Sequence, residues 1–338
     1  MRLKATVIMP TNRYGWLENT FRALGRQTFP KEEWEFVLVD DYGDRWDEVK
    51  KLAEENGVRT KYMHSKPAHW KTNRQIANAR NTGLIYADSE LIIFFDDYMW
   101  VPPEWVGSHW GSYCDTRGAT VARVKAARYK RIVLTGAGLE VMGDDERCDK
   151  TRFKSPSQQE IASWFYTFNT SAPLYTIVDI NGFDEEFDAT SEEDIDLGLR
   201  LYRSGVRFVF LTHESITAYH LQHGGEVVEV RCNRCGGEIY IGDLHCWNHQ
   251  KVMPCPKCGS MVDRSEIARK INMPARYSES ECHRVTKDMY KTKYDGSWGL
   301  LERNARKPPW DVNYPYFNLE RAREERERYD KLTGVREA

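Results

Sequence analysis

Leu91-Ile-Ile-Phe-Phe95 is the most apolar stretch of the chain, and it stops abruptly at Asp96-Asp97. Five consecutive large apolar residues leave no side for water, so a strand built from them must be covered on both faces. Such strands sit at the centre of parallel sheets flanked by helices. Two earlier segments repeat the pattern. Ala5-Thr-Val-Ile-Met9 is closed by Pro10-Thr-Asn12 and followed by Leu17, Phe21 and Leu24 at helical spacing, and Glu35-Phe-Val-Leu-Val39 runs into Asp40-Asp41. A helical pattern over Thr72 to Ala87 precedes the central strand. Strand, helix and strand in this order predict an α/β fold of the Rossmann-like kind with a mostly parallel sheet. Ligands of open sheets bind beyond the carboxyl ends of the strands, which gathers Asn12, Asp41, Asp96 and Asp97 along one edge.

Downstream, a strand is expected at Arg131 to Thr135. Asn181-Gly-Phe-Asp184 reads as a turn leading to Ser191-Glu-Glu-Asp-Ile-Asp-Leu-Gly-Leu-Arg200, a helix with Ser191 as its N-cap and acids in its first turn. A strand over Val206 to Leu211 then leads to His220. With 338 residues, 41% of them hydrophobic, there is core for one large domain and an appendage. A formal net charge of −2 gives no global attraction to a polyanion. The apolar run Ala5 to Met9 is too brief for a signal peptide, and no stretch approaches the roughly 20 residues of a membrane span, so a cytoplasmic location is expected.

Cys232-Asn-Arg-Cys235 and Cys255-Pro-Lys-Cys258 are spaced as two thiolate knuckles around a tetrahedral Zn²⁺, the arrangement of a zinc ribbon. His245, Cys246 and His249 are alternative ligands, and four unligated thiols in a reducing cytosol are the plain reading. A segment this short buries little core, so the metal would supply its folding free energy. The expected organisation is therefore 1–228 as the main domain, 229–262 as the ribbon and 263–338 as a helical or irregular tail. Within that tail, Gly296-Ser-Trp-Gly299 and Lys307-Pro-Pro-Trp310 read either as a lid, with Trp298 stacking on the acceptor side, or as anchors pinning the tail. The charge-dense stretch Leu319 to Leu332 reads as a helix, solvated over Arg321 to Arg328 and held there by i,i+4 pairs.

The acids suit group transfer from a nucleotide. A carboxylate such as Asp97 holds a hard cation, Mn²⁺ or Mg²⁺, that offsets the charge on a departing diphosphate. Another, in Glu193-Asp194-Ile-Asp196, accepts the proton of an attacking hydroxyl. His220 is either a further metal ligand or a histidine hydrogen-bonded in place.

Val7-Ile-Met-Pro-Thr-Asn12, Gln27-Thr-Phe29, Val39-Asp-Asp41, Ala79-Arg-Asn-Thr-Gly83, Phe95-Asp-Asp97, Gly182-Phe-Asp-Glu185 and Glu193-Asp-Ile-Asp-Leu197, in this order, resemble family 2 glycosyltransferases of the GT-A fold over about residues 5–220. The resemblance implies transfer of a hexose or pentose from a nucleotide sugar with inversion. It implies that Asp41 contacts the base, most often uracil, that Asp97 binds the metal and that Asp194 is the general base. Pro10, Asn12, Arg80, Asn81 and Asp96 fall where the donor pocket is lined, and Glu193 and Asp196 fall on the acceptor side. Tyr98 departs from the frequent Asp-x-Asp motif, and Tyr42-Gly43 replaces the usual Gly-Ser.

The acceptor could be a glycan, a protein or modified DNA. A different class of function is a non-catalytic protein whose ribbon binds nucleic acid or protein, with the basic run Arg123 to Arg131 as a local stripe. A nucleotidyltransferase is the third class, and no glycine-rich, lysine-bearing phosphate loop supports it.

Overall fold

The computed structural model of the chain describes residues 3–12, 17–68, 75–129, 139–145, 155–189, 192–221, 230–231, 235, 238–239, 252–254, 258, 260–263 and 317–338. The chain begins with β1 (Leu3–Thr11), α1 (Leu17–Gly25), β2 (Trp34–Asp40), α2 (Trp46–Asn56), β3 (Thr60–Met63), α3 (Ile76–Tyr86) and β4 (Ser89–Phe95). β1 pairs in parallel with both β2 and β4, and β2 in parallel with β3. The carboxyl ends of β1, β2 and β4 therefore lie on one edge of the sheet, as expected from the sequence.

Side chains alternate across these strands, and each face feeds its own core. Val7, Phe36, Leu38, Ile93 and Phe95 pack with Phe21 and Leu24 of α1 and Val49 of α2. Ile8, Val37, Val39, Ile92 and Phe94 pack with Leu84 and Ile85 of α3 on the opposite side. Both faces being covered explains why Leu91 to Phe95 carries no polar residue. Gly83 lets α3 come this close, since a Cβ there would stand 2.6 Å from Ile8 Cγ2.

The middle of the chain adds β5 (Met99–Trp100), α4 (Trp105–Thr116), β6 (Ala119–Ala122), β7 (Val124–Tyr129), β8 (Leu139–Asp144), α5 (Gln158–Ala162), β9 (Asn169–Pro173), α6 (Leu174–Asp179), α7 (Glu193–Arg203), β10 (Phe208–Leu211) and β11 (Ala218–Leu221). β9 inserts antiparallel between β4 and β6, and β10 extends that side in parallel with β6. A second sheet, in the order β5, β11, β7, β8, stands next to the end of β4. The expected strand at Arg131 to Thr135 lies outside the described residues.

A buried polar knot ties α4 to β9. Trp105 Nε1 donates to Asn169 Oδ1 at 2.7 Å, while Asn169 Nδ2 donates to the carbonyls of Arg123 and Ile216 at 2.8 and 2.9 Å. His109 Nε2 lies 3.1 Å from the same Oδ1, which accepts only, so this nitrogen carries the ring proton and Nδ1 accepts from Ser171 Oγ at 3.0 Å. Burial pushes the His109 pKa down to about 4, so the ring is neutral at physiological pH.

Two short hairpins follow, β12 (Val230–Arg231) with β13 (Glu238–Ile239) and β14 (Val252–Pro254) with β15 (Met261–Asp263). The end of the sequence differs from the expected solvated helix. Residues 319–333 form two helices, α8 (Leu319–Glu324) and α9 (Arg326–Thr333), and β16 (Arg336–Glu337) then joins the main sheet antiparallel to β3. Leu319, Ala322 and Thr333 are buried, and Arg323 and Arg326 reach the end of α3 through the Ala87 carbonyl (2.7 Å) and the Asp88 carboxylate (2.7 and 2.9 Å). Two buried apolar side chains, Leu319 and Ala322, and the hydrogen-bonded Thr333 anchor this segment, and the charge density around them concealed it. Among the described residues the main sheet has eight strands, in the order β10-β6-β9-β4-β1-β2-β3-β16, with only β9 and β16 running against the rest.

Candidate active site at the strand ends

β4 delivers two carboxylates with different surroundings. Asp97 is buried and accepts a hydrogen bond from Thr11 Oγ1, at the end of β1, at 2.8 Å. Asp96 is partly exposed and accepts from Arg80 Nη2 at 3.0 Å. Tyr98 then adopts a left-handed conformation (φ 57°) with its ring buried against Ala127 and Leu221. A non-glycine residue in that region carries strain of about 1 kcal/mol or more, held here by the packing of its ring. The turn sends the chain into β5, where Met99 pairs with His220 of β11. His220 thus stands across the strand pair from the residues that follow Asp97. Its Nδ1 lies 3.0 Å from Asp145 Oδ2, and because the carboxylate accepts, this nitrogen is the donor.

On the opposite side, α7 opens with Glu193, Asp194 and Asp196 in its first turn. Glu192, not Ser191, is its N-cap, in a left-handed conformation (φ 80°) and without a side-chain cap bond; Ser191 lies outside the described residues. Arg80, in the middle of α3, is buried and joins the two sides, pairing with Glu193 through Nη1 and with Asp96 through Nη2. Its guanidinium also lies 5.6 Å from the centre of the Phe183 ring. Asp194 accepts from the Ile195 backbone N–H at 2.7 Å. Burial raises its pKa, the adjacent Glu193 charge raises it further, and Arg80 opposes both.

Asn81 and Asp196 have mainly internal partners. Asn81 clasps the 183–185 turn, donating Nδ2 to the Phe183 carbonyl and to Glu185 Oε1 while Oδ1 accepts from Phe183 N–H. Gly182 beside it has φ 67°, and a Cβ there would meet Asn81 Oδ1 at 2.5 Å. Asp196 holds Arg200 at 2.7 Å, and Arg200 donates to the carbonyls of Ile180 and Gly182. Both residues fix the turn that precedes α7. Lys66 and Asp188, not singled out from the sequence, complete this layer with Glu185. Lys66 forms a buried pair with Glu185 (2.7 Å), and Asp188 accepts from the N–H groups of Ala77 and Asn78 at the start of α3 (2.6 and 3.2 Å). Burial and the nearby Glu185 charge push the Asp188 pKa up to about 8. Glu185 was legible as part of its motif, whereas nothing in the local sequence marks Lys66.

At the end of β2 the two aspartates divide. Asp40 is buried and accepts from Arg45 Nε at 2.8 Å and from Tyr42 N–H at 3.0 Å. Asp41 is exposed, bonded to the N–H (2.9 Å) and hydroxyl of Ser65. Its own N–H donates to the Thr11 carbonyl at 2.8 Å, which joins it to β1, where Pro10 is buried and Asn12 is exposed.

Asp97 and His220 fit a divalent cation in chemistry, a carboxylate and an imidazole on neighbouring segments. Among the described residues no group of three or more His, Cys, Asp or Glu side chains is arranged to hold a metal. Cys235 and Cys258 lie in the turns of the two hairpins, and Cys258 Sγ is 2.9 Å from Ser260 Oγ. Cys232, Cys255 and Trp298 lie outside the described residues.

The first half of the chain is similar to a known family. Residues 6–157 match the model described as glycosyl transferase family 2. That stretch is a little under half of the chain. Two curated relatives, the validoxylamine A glucosyltransferases of Streptomyces hygroscopicus subsp. jinggangensis (strain 5008) and subsp. limoneus, are each 27% identical over 222 residues. The match spans 60% of this chain but only 52% and 48% of theirs, so the chain covers about half the length of these relatives. Among solved structures, S. aureus TarS 1-349 in complex with UDP-GlcNAc aligns with 91% of this chain and 78% of that one, at 17% identity and a TM-score of 0.50. That likeness concerns the fold. Among the described residues no helix is long and apolar enough to cross a membrane.

Proposed function

We propose that this chain is an inverting glycosyltransferase that moves a hexosyl or pentosyl group from a UDP-sugar to an acceptor hydroxyl. The observation that carries this reading is the link from Asp194, in the first turn of α7, through the Glu193–Arg80 pair to Asp96 at the end of the central strand. It brings a carboxylate of raised basicity to the edge where an α/β sheet binds its ligand.

In the proposed reaction the acceptor oxygen attacks the anomeric carbon, its proton passes to Asp194, and the bond from that carbon to the diphosphate oxygen breaks. The diphosphate leaves with the electron pair. A Mn²⁺ or Mg²⁺ ion held by Asp97 and His220 would supply Lewis-acid neutralisation of the leaving group. Thr11 and Asp145 orient those two side chains. Asp41, with Pro10 and Asn12 beside it, binds the base, and Asn81 and Asp196 act by holding the 180–185 turn. Glu193 sets the charge around Asp194. UDP is assigned from the resemblance of the ordered motifs, and a hexose from the glucosyltransferases among the relatives.

The acceptor is proposed to be macromolecular, a glycan, a protein or modified DNA, with residues 229–262 as the module that finds it in the cytoplasm. A structural Zn²⁺ on Cys232, Cys235, Cys255 and Cys258 is supported by the spacing of the two Cys-x-x-Cys pairs, whose described members Cys235 and Cys258 each lie in a hairpin turn. Trp298 belongs to the acceptor side in this scheme.

The test is donor hydrolysis or transfer with UDP-glucose and UDP-GlcNAc in Mn²⁺, comparing the wild type with Asp97→Ala and Asp194→Asn. Loss of turnover in both variants is expected, at about 100-fold or more. Wild-type rates in both would end the assignment.

A further inference from the structure

The base-side loop 41–45 is braced from behind by a part of the chain almost 300 residues away. Arg336 of β16 grips Asp44 with both terminal nitrogens, at 2.6 and 3.3 Å. Its guanidinium lies 5.2 Å from the ring centre of Tyr62 and 5.3 Å from that of Trp46. Tyr62, fully buried on β3, donates its hydroxyl to the Gly43 carbonyl at 2.8 Å and accepts from Arg45 N–H at 2.9 Å. Two residues further, His64 N–H donates to the Thr333 carbonyl at 2.9 Å, and His64 Nδ1 donates to the Asp40 carbonyl at 2.6 Å. Both ends of the loop are therefore tied to β3, and β3 and the loop are tied to residues 333–336.

We infer that Arg336 is a positioning residue for nucleotide binding, setting the loop that presents Asp41 through its grip on Asp44 and its stacking on Tyr62. The inference rests on the glycosyltransferase reading. Arg336 touches neither Asp41 nor the carboxylates at the ends of β4 and α7, so its loss acts on the donor and leaves the chemical step alone. A Lys at 336 keeps the charge but not the planar fork that meets Asp44 and the two rings together.

The test is titration calorimetry of the full chain with UDP and Mn²⁺, together with donor KM and kcat, for the wild type, Arg336→Gln, Arg336→Lys and Asp44→Asn. The pair is partly exposed, so a three- to tenfold rise in UDP Kd and donor KM is expected for Arg336→Gln and Asp44→Asn, with kcat within about twofold. The double variant should be no worse than either single one. Arg336→Lys should recover at most part of the loss. Asp44→Asn sits on the exposed loop and keeps the test valid if Arg336→Gln fails to fold. Unchanged UDP Kd and KM in the variants, beside a wild type that binds UDP, would overturn this inference alone. A fall in kcat with unchanged KM would reduce Arg336 to a general structural role and overturn it too. A wild type that binds no UDP overturns the glycosyltransferase reading and this inference with it.

Discussion

Arg80 and Glu193, 113 residues apart in sequence, form a buried ion pair, and that pair leaves Asp194 next to one carboxylate and one guanidinium of opposite influence. Arg80 spends its other arm on Asp96, so its charge is shared among the acids around it. Burial, with the Glu193 charge beside it, outweighs Arg80, so Asp194 accepts protons more readily than an ordinary aspartate.

With its pKa pushed up to about 8, Asp194 is protonated over much of the physiological range and becomes the active base as pH rises. kcat should therefore climb with pH through about 8. Glu193→Gln removes a raising charge and frees Arg80 to act on Asp194, so the limb should move to lower pH, by about one unit. A pH–rate series for both proteins checks this. A limb that stays put or moves upward would show that Asp194 is not the titrating group.

Gly182→Ala should destabilise the protein by about 2 kcal/mol, because the left-handed backbone and the 2.5 Å approach to Asn81 Oδ1 leave a Cβ no room. A thermal melt reads the loss directly. Asn81→Ala should lower the melting temperature by a similar amount, and the double variant should cost less than the sum, since both act on one turn.

His109 makes stability depend on pH. Its folded pKa of about 4 lies below the unfolded value near 6.5, so between these the unfolded chain binds the extra proton. Stability contributed by the neutral ring is complete above about 6.5 and is lost as pH falls toward 4, by roughly 2–3 kcal/mol. Asp188 and Asp194 titrate in the opposite sense, so the difference between wild type and His109→Gln in urea melts at pH 7.5 and 5 isolates the effect. A difference that does not shrink toward pH 5 would count against a neutral His109.

The purified protein should contain about one zinc per chain by elemental analysis. Cys255→Ser should lower that content while leaving the melting of residues around the main sheet little changed, because residues 317–338 and the sheet make their own core. Zinc unchanged in Cys232→Ser and Cys255→Ser would exclude these ligands.

Periodicity and termination are local, and the sequence alone determined what depends on them. The unbroken run Leu91 to Phe95 required a strand covered on both sides, and the acids closing two of the first three predicted strands placed carboxylates along one edge of the sheet. What only the tertiary structure decided is which member of each acidic pair faces inward. Asp40 and Asp97 are buried and Asp41 and Asp96 are not, because a side chain's face depends on where the strand ends and on the partner waiting there, Arg45 for one and Thr11 for the other. The same holds for Lys66 with Glu185 and Arg336 with Asp44. Each joins segments far apart in sequence, and a charge paired across such a distance looks, in the linear chain, like any solvated residue.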